Sequence, residues 1–195
     1  HISILDNDKI IDTYSQSFGI RTIHYSVKGF FLNGRKLDLN GGCVHHDNGI
    51  LGAAAFDRAE FRKVQMMKSA GFNALRTSHN LPSEAFLEAC DRLGMLVIDE
   101  AFDGWREAKT PHDYASLFDK YWQQDIEGMV LRDLNHPSII AWSIGNEVIE
   151  RKKIEVVTTA HKLASKIREY DNRPITSALA AWDSAWEIYD PLAAE

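Results

Sequence analysis

The sequence has few cysteines, no long apolar run and no excess of basic residues, and each shortage excludes a class of protein. Two cysteines are too few for a disulfide framework, and the apolar neighbours of Cys43 and Cys90 predict two small core residues. The net charge of −6 argues against nucleic acid and anionic membranes as partners. No apolar run approaches the ~20 residues of a membrane-spanning helix. With 45% apolar and 26% charged residues, the composition is that of a globular domain.

The first 27 residues differ from the rest of the chain. The segment Tyr14–Ile23 alternates loosely between polar and apolar residues, which predicts a half-exposed strand. A hairpin is expected next, because Asn33-Gly34 is a strong two-residue turn signal. The chain opens with neither a methionine nor a signal-peptide pattern, so we interpret it as a piece of a longer protein. Residues 1–27 are expected to end a β-rich neighbouring domain.

From Leu37 onward, strand-like apolar runs alternate with helical stretches. Ser83 is a typical helix N-cap, and Gly71 and Gly94 stand where helix C-cap glycines belong. The expected strands are 37–44, 74–78, 96–100, 139–144 and 174–179. The expected helices are 57–70, 83–93, 115–134 and 152–170. These repeats favour an α/β fold of right-handed strand–helix–strand units in a parallel sheet, either doubly wound or closed into a barrel.

The run Ile139–Ile144 has the length and composition of one buried parallel strand, and it leads into Gly145-Asn146-Glu147. A protein core cannot hold an unpaired carboxylate cheaply. Glu147 is therefore expected at the carboxyl end of the strand, where α/β enzymes place their chemistry. A half-buried carboxyl group at such a place suits a general acid. Glu147 is the strongest catalytic candidate in the sequence.

Polar residues also follow three other predicted strands. In a barrel all strand ends converge on one rim, whereas an open sheet gathers fewer of them. These residues therefore favour an eight-stranded α/β barrel, which takes about 250 residues when complete. The chain is expected to hold about five of the eight strand–helix units. The polar groups are His45-His46-Asp47, Ser78-His79-Asn80, Asp99-Glu100 through Asp103, and Asn146-Glu147.

Hydrolysis of a glycosidic bond needs two carboxyl groups, and Glu147 fits the acid/base member of such a pair. Asn146 is either a donor to a substrate hydroxyl or a turn residue. The histidines that follow the first two strands, together with Asp47, suit sugar hydroxyls better than a metal ion. They lack the tight ligand spacing of a zinc site.

Several other residues allow two interpretations. An inward-facing Arg76 would need a buried acidic partner, and Asp99 or a carboxylate outside the chain is expected to supply it. Trp105 and Trp182 suit stacking on a sugar ring and packing in the core equally well. The run from Lys109 to Tyr121 is expected to be solvated surface.

Six blocks in order along the chain resemble the catalytic barrel of glycoside hydrolase family 2, which contains β-galactosidases, β-glucuronidases and β-mannosidases. The resemblance covers almost the whole chain. It implies the N-terminal part of a (β/α)8 TIM barrel over residues 28–195, preceded by the remnant of an immunoglobulin-like β-sandwich domain over residues 1–27. The blocks are 29–34, 42–47, 73–79, 97–105, 132–138 and 142–147.

The resemblance also implies a role for individual residues. Glu147 matches the family's acid/base glutamate, and Asn146 matches the asparagine that binds the 2-hydroxyl of the sugar. Arg76 matches an arginine that supports the nucleophile. The implied reaction is retaining, with its two carboxyl groups about 5 to 5.5 Å apart. The other expected substrate-binding residues are His45, Asp47, His79, Asp103 and Trp105.

The chain departs from the family pattern in two places. The nucleophilic glutamate of the family follows the seventh strand, and Glu187 and Glu195 come too early for it, so the chain alone is expected to be inactive. The segment Phe102–Trp105 does not match the metal ligands of some β-galactosidases, so no magnesium or sodium cofactor is expected. Gly145, in place of alanine before Asn146, favours the β-galactosidase branch.

The sequence therefore predicts part of a retaining hydrolase of terminal β-galactosides or related β-glycosides, including β-glucuronides and β-mannosides. The expected partners are a carbohydrate substrate and the rest of the same barrel, and a homo-oligomer is compatible with the sequence. Two alternatives stay open. One is a non-catalytic carbohydrate-binding or assembly fragment, and the other is a metal-dependent barrel hydrolase using the histidine cluster. The compartment, cytoplasmic or periplasmic, is left open.

Overall fold

The computed structural model describes residues 1–180, and the predictions for Trp182, Glu187 and Glu195 lie outside this range. The strands are β1 Ile2–Asp6, β2 Lys9–Tyr14, β3 Ile23–Ser26, β4 Gly29–Leu32, β5 Arg35–Lys36, β6 Gly41–His45, β7 Ala74–Ser78, β8 Leu96–Glu100, β9 Ile139–Asn146 and β10 Ile175–Ala178. The α-helices are α1 Asp57–Ser69, α2 Glu84–Leu93, α3 Ala115–Asp133 and α4 Glu155–Arg168. Among residues 1–180, no helix combines the length and apolar character needed to cross a membrane.

Strands β6 to β10 form one parallel sheet in which each strand pairs with its neighbour in sequence. A doubly wound sheet would reverse its strand order at a switch point. The observed order is that of an α/β barrel, so the prediction of a partial barrel is confirmed. The first strand of this sheet, β6, starts at Gly41 rather than at the predicted Leu37. The residues before it are held by the Asn73 side chain instead: Asn73 Nδ2 donates to Asp38 O at 2.9 Å, and Asn40 N donates to Asn73 Oδ1 at 2.8 Å.

Helices α1 to α4 cover one face of this sheet and enclose the main hydrophobic core with it. Helix α2 begins as predicted, because Ser83 Oγ accepts a hydrogen bond from Phe86 N at 3.2 Å. It ends at Gly94, whose φ of +68° is a conformation that favours glycine. Large, fully buried side chains of this core include Trp105, Trp142, Phe118, Leu87, Ile126 and Leu163.

The other face of the sheet is closed at its amino end by the small antiparallel sheet β3–β4–β5. Phe30 of β4 packs there against Ala74, Leu96 and Ile140, which lie at the starts of three barrel strands. The predicted turn between β4 and β5 is confirmed: Asn33 and Gly34 have φ values of +51° and +76°, as a tight hairpin turn requires. This packing leaves the opposite, carboxyl end of the sheet for the polar residues.

The N-terminal residues fold differently from the expectation. Strands β1 and β2 form an exposed antiparallel hairpin, and the strand predicted over residues 14–23 is wrong, because residues 15–22 lie outside any strand. Their polar groups bind elsewhere: Thr22 N donates to Asn33 Oδ1, and Arg21 donates to Ile139 O. The predicted domain boundary at residue 27 falls inside the β3–β4 hairpin. Assignment of residues 1–27 to a β-sandwich domain stays a prediction.

Candidate active site

Arg76 of β7 is the centre of a polar cluster at the carboxyl ends of β6 to β9. Its guanidinium binds Glu100 twice, with Nε to Oε2 at 2.8 Å and Nη2 to Oε1 at 2.9 Å. The same Nη2 donates to Asn146 Oδ1 at 2.6 Å. Burial opposes the charge of Arg76, but the hydrogen bonds and charge of Glu100 outweigh it and raise the arginine pKa. The guanidinium therefore links three neighbouring strands.

Glu100, at the end of β8, is the acidic partner that Arg76 needed, and the sequence did not single it out. Its side chain is fully buried. Besides the two bonds from Arg76, it accepts Ser143 Oγ at 2.6 Å and His79 Nδ1 at 2.8 Å. Four donors occupy the two oxygens of the carboxylate. Glu100 therefore orients the cluster, and both of its oxygens are engaged by these donors.

The expectation that Asp99 could be the partner of Arg76 is wrong. Successive side chains of a strand point to opposite faces of the sheet. Since Glu100 faces the polar cluster, Asp99 faces the helices, where Thr77 Oγ1 lies 3.3 Å from its Oδ1. Burial first, and then the nearby charge of Asp133, raise the pKa of Asp99 well above its ordinary value.

His79, just after β7, has one ring nitrogen fixed by the cluster. Both hydrogens of Arg76 Nη2 are already used by Glu100 and Asn146, so Arg76 has none left for His79 Nδ1, 3.3 Å away. His79 Nδ1 therefore carries the hydrogen and donates it to Glu100. In the neutral ring this leaves Nε2 as an acceptor. The ring of His45 stands edge-on to His79, with centroids 5.1 Å apart.

Asn146 is oriented from both sides of its side chain. Its Oδ1 accepts from Arg76, and its Nδ2 donates to Asp103 Oδ1 at 3.0 Å. Asp103 in turn accepts from Lys109 Nζ at 2.7 Å. Burial opposes ionisation of Asp103, but the hydrogen bonds from Lys109 and Asn146 outweigh it and lower the carboxyl pKa. The second Nδ2 hydrogen of Asn146 remains for another acceptor.

Glu147 follows the last residue of β9 and turns the chain out of the sheet. Its backbone N donates to Ala178 O at 2.8 Å, and its φ is +43°. The side chain is exposed, so the expectation of a half-buried carboxyl group is wrong for the described residues. The position at the carboxyl end of the strand is the one predicted. Glu147 thus presents a carboxyl group beside an amide that is already oriented.

Trp105 lies in the core instead of on a binding surface. It is 1% exposed, and its Nε1 donates to Ile144 O at 2.8 Å. A Cβ at position 145 would lie 2.8 Å from the same nitrogen, so Gly145 is required by the packing of Trp105. The glycine therefore carries no information about the sugar. The stacking role expected for Trp105 finds no exposed ring face here.

Three further residues with sequence predictions are Asp47, Cys43 and Cys90, of which Cys43 contacts the cluster through Arg76. Asp47 is exposed, and its Oδ1 accepts from Gly49 N at 2.8 Å, which closes a turn after β6. Cys43 was expected in the core but is exposed on the edge strand β6, with Arg76 Nη1 3.2 Å from its Sγ. Cys90 is buried, as predicted.

The alternative of a metal-dependent hydrolase is not supported by a group of metal ligands in the part of the chain that is described. Within residues 1–180, no three histidine, cysteine or acidic side chains are grouped so that they could hold a metal ion. His79 instead donates to Glu100, and the ring of His45 packs edge-on against His79. The strand order of the sheet and this polar rim together define the class as an α/β barrel with its polar residues at the carboxyl end of the sheet.

Comparison with known proteins identifies the family. Residues 23–186 match the family model described as glycosyl hydrolases family 2, TIM barrel domain. The chain is also 49% identical to β-galactosidase BoGH2A of Bacteroides ovatus over 76% of its own length. The chain therefore belongs to glycoside hydrolase family 2, as the sequence blocks predicted.

Other relatives show the range of the family. A β-glucuronidase of Bacteroides fragilis is 32% identical over 97% of this chain. A solved structure of a family 2 member from Bacteroides cellulosilyticus superposes with a TM-score of 0.90 at 52% identity, covering 97% of this chain and 25% of that one. The chain spans 18% of the B. ovatus protein and 29% of the B. fragilis protein, so it matches only a part of each.

Proposed function

We propose that this chain carries the acid/base half of a retaining β-glycosidase that removes terminal β-galactosyl groups. The single observation that carries the proposal is the position of Glu147. Its carboxyl group is exposed at the end of β9, and the preceding Asn146 is fixed by Arg76 and Asp103. An oriented amide beside a free carboxyl group suits a site that binds a hydroxyl and protonates the neighbouring glycosidic oxygen.

The chemistry assigned to Glu147 has two steps. It protonates the glycosidic oxygen as the bond to the anomeric carbon breaks, and it then removes a proton from the water that attacks the glycosyl-enzyme. Asn146 Nδ2 donates its second hydrogen to the 2-hydroxyl, and His79 Nε2 accepts from another hydroxyl. The nucleophilic carboxylate is expected about 5 to 5.5 Å from Glu147 and outside the described residues. The chain alone would therefore be inactive.

Two observations support a neutral β-galactoside as the substrate. The relative that is 49% identical bears the name of a β-galactosidase, whereas a putative β-glucuronidase of Formosa agariphila is 44% identical and the B. fragilis β-glucuronidase is 32% identical. The cations that the described residues place at the cluster, Arg76 and Lys109, are already paired with Glu100 and Asp103. Neither is left to bind the carboxylate of a glucuronide.

The test is the full-length protein that contains this chain, with and without Glu147→Gln, on nitrophenyl β-galactoside, β-glucuronide and β-mannoside. General acid/base catalysis contributes about 10²- to 10⁴-fold, so kcat on the galactoside, which includes hydrolysis of the glycosyl-enzyme, should fall by about 10³-fold. External azide should partly restore turnover, because it replaces the water that needs a base. Glu88→Gln, a change on the exposed face of α2, is the matched control. Equal activity of Glu147→Gln and wild type would overturn the acid/base assignment. Cleavage of only the glucuronide would overturn the assignment of a galactoside as the substrate.

A further inference from the structure

Lys109 lies in the β8–α3 loop, residues 101–114, and its ammonium group has three acceptors at the site. Nζ is 2.7 Å from Asp103 Oδ1, 2.7 Å from Asp103 O and 2.7 Å from Asn146 O. An ammonium group has three hydrogens, so every donor is used. Asn146 O belongs to the peptide bond that leads into Glu147. Lys109 thus holds the backbone immediately before the acid/base residue.

The lysine is itself fixed to the start of α3. Lys109 N and Thr110 N donate to Asp113 Oδ2 at 2.6 and 3.2 Å. The other oxygen of Asp113 accepts from the N–H of Ala115, the first residue of α3, at 2.9 Å. A charged acceptor with three backbone donors gives a well-defined turn. The side chain of Lys109 therefore extends from a rigid base.

The same loop also holds the chain on the far side of Glu147. Glu150, three residues later, is 8% exposed. Its Oε1 accepts from the backbone N–H groups of Arg106 and Glu107 at 2.5 and 2.8 Å. The β8–α3 loop thus contacts the chain both before and after the acid/base residue.

The backbone of Glu147 needs such support. Its φ of +43° lies in the left-handed region, which is uncommon for a residue with a Cβ. A conformation of this kind is strained and persists only when the surroundings hold it. The contacts on either side of Glu147 supply that restraint.

We propose that Lys109 is a positioning residue, which holds the Glu147 turn in the geometry for proton transfer through the Asn146 carbonyl and Asp103. The proposal rests on the acid/base role of Glu147. Without the ammonium group, Asn146 O and Asp103 each lose a donor, and the turn can relax toward right-handed φ. The carboxyl group of Glu147 then moves away from the glycosidic oxygen.

Substrates with different leaving groups distinguish a positioning role of Lys109 from a general stabilising role. A 2,4-dinitrophenyl leaving group departs without much protonation, whereas a phenyl leaving group needs the acid. The value of kcat/KM reports the step in which the glycosidic bond breaks. Misplacement of Glu147 lowers kcat/KM mainly for the phenyl glycoside, but a general loosening of the site lowers both values equally.

The experiment uses the full-length protein with Lys109→Met, Lys109→Arg and the control Lys162→Met, which changes an exposed lysine on α4. For Lys109→Met, kcat/KM on phenyl β-galactoside should fall about 10²-fold, but only a few-fold on the 2,4-dinitrophenyl galactoside. Lys109→Arg should show the same selectivity with a smaller loss, because a planar guanidinium fits three converging acceptors poorly. Lys162→Met should match wild type.

Equal losses on the two substrates, or no loss, would overturn the positioning role. If Lys109→Met fails to fold, Lys109→Arg decides by the same ratio of the two kcat/KM values. The outcome is separable from the proposed function. If Glu147→Gln abolishes activity but the lysine variants show no leaving-group selectivity, only the positioning role fails. If Glu147→Gln is fully active, Lys109 has no acid/base residue to position and both proposals fail.

Discussion

Asp99 and Glu100 are consecutive and fully buried, yet they lie in opposite electrostatic surroundings. Glu100 faces the polar cluster and accepts hydrogen bonds from Arg76, His79 and Ser143. Asp99 faces the helices, receives one long bond from Thr77, and has no hydrogen-bond partner for its Oδ2 among residues 1–180. Equal burial therefore does not mean equal surroundings. Four donors hold the carboxyl group of Glu100, whereas burial and the charge of Asp133 raise the pKa of Asp99.

Among the variants that test this difference between Asp99 and Glu100, Glu100→Gln is expected to have the largest effect on stability. The variant leaves Arg76 buried beside a neutral amide and places an NH₂ group against donors. Breaking a buried ion pair costs about 3–5 kcal/mol, so the urea midpoint of the full-length protein should drop strongly, and kcat should fall with it. Glu88→Gln, whose carboxylate pairs with Arg92 on the surface, should change the free energy of unfolding by less than about 0.5 kcal/mol. Similar small effects for both variants would refute the anchoring role of Glu100.

Thr77→Val tests the side chain that joins the two carboxyl residues. Thr77 Oγ1 accepts from Glu100 N at 2.9 Å and lies 3.3 Å from Asp99 Oδ1. Valine has nearly the same shape but leaves the Glu100 N–H without its acceptor. We expect a loss of about 1–2 kcal/mol in unfolding free energy. Thr158→Val, an exposed change on α4, is the control, and an equal result in both would show that the bridging hydroxyl is unimportant.

Asp99→Asn tests the raised pKa of Asp99 through the pH dependence of the unfolding free energy. The native pKa of Asp99 is raised by burial and by Asp133, so the native state keeps this proton after the unfolded state has lost it. Stability of the wild type therefore falls as pH rises above the unfolded pKa of about 4 toward the native pKa. The neutral amide removes this contribution.

The variant should therefore gain stability relative to wild type as the pH rises from 5 to 8. Urea unfolding at the two pH values measures the difference. The exposed Asp38→Asn serves as the control and should show a constant difference. A constant difference for Asp99→Asn as well would mean that Asp99 is ionised in the folded protein.

The barrel elements followed from local sequence signals. Ser83 and Gly94 mark the ends of α2 by hydrogen bonding and by φ, both of which depend on the residue itself and its immediate neighbours. The buried strand β9 was visible as a continuous apolar run. Residues 15–22 were mispredicted because their alternation was weak and their partners, Asn33 and Ile139, lie elsewhere in the chain.

The site was only partly predictable because its contacts are distant in sequence. His79, Asp103 and Asn146 were found from their places after predicted strands, and Arg76 from its place within one. Glu100 was missed as the anchor, since its donors lie 24 and 43 residues away in Arg76 and Ser143. Lys109 was expected on solvated surface, which is wrong, because its backbone acceptor in Asn146 is 37 residues away. No local pattern encodes these pairings.

The strand order of the barrel sheet has a consequence for how the chain is made. Each strand from β7 to β10 pairs with the strand that precedes it in the chain, so a strand leaving the ribosome meets a partner that has already emerged. Loop closure then spans one strand–helix unit at a time, which keeps its entropic cost low and folding local. Arg76, Glu100 and Lys109 therefore leave the ribosome before Glu147, whereas Glu150 and Ala178, which also support its turn, leave after it.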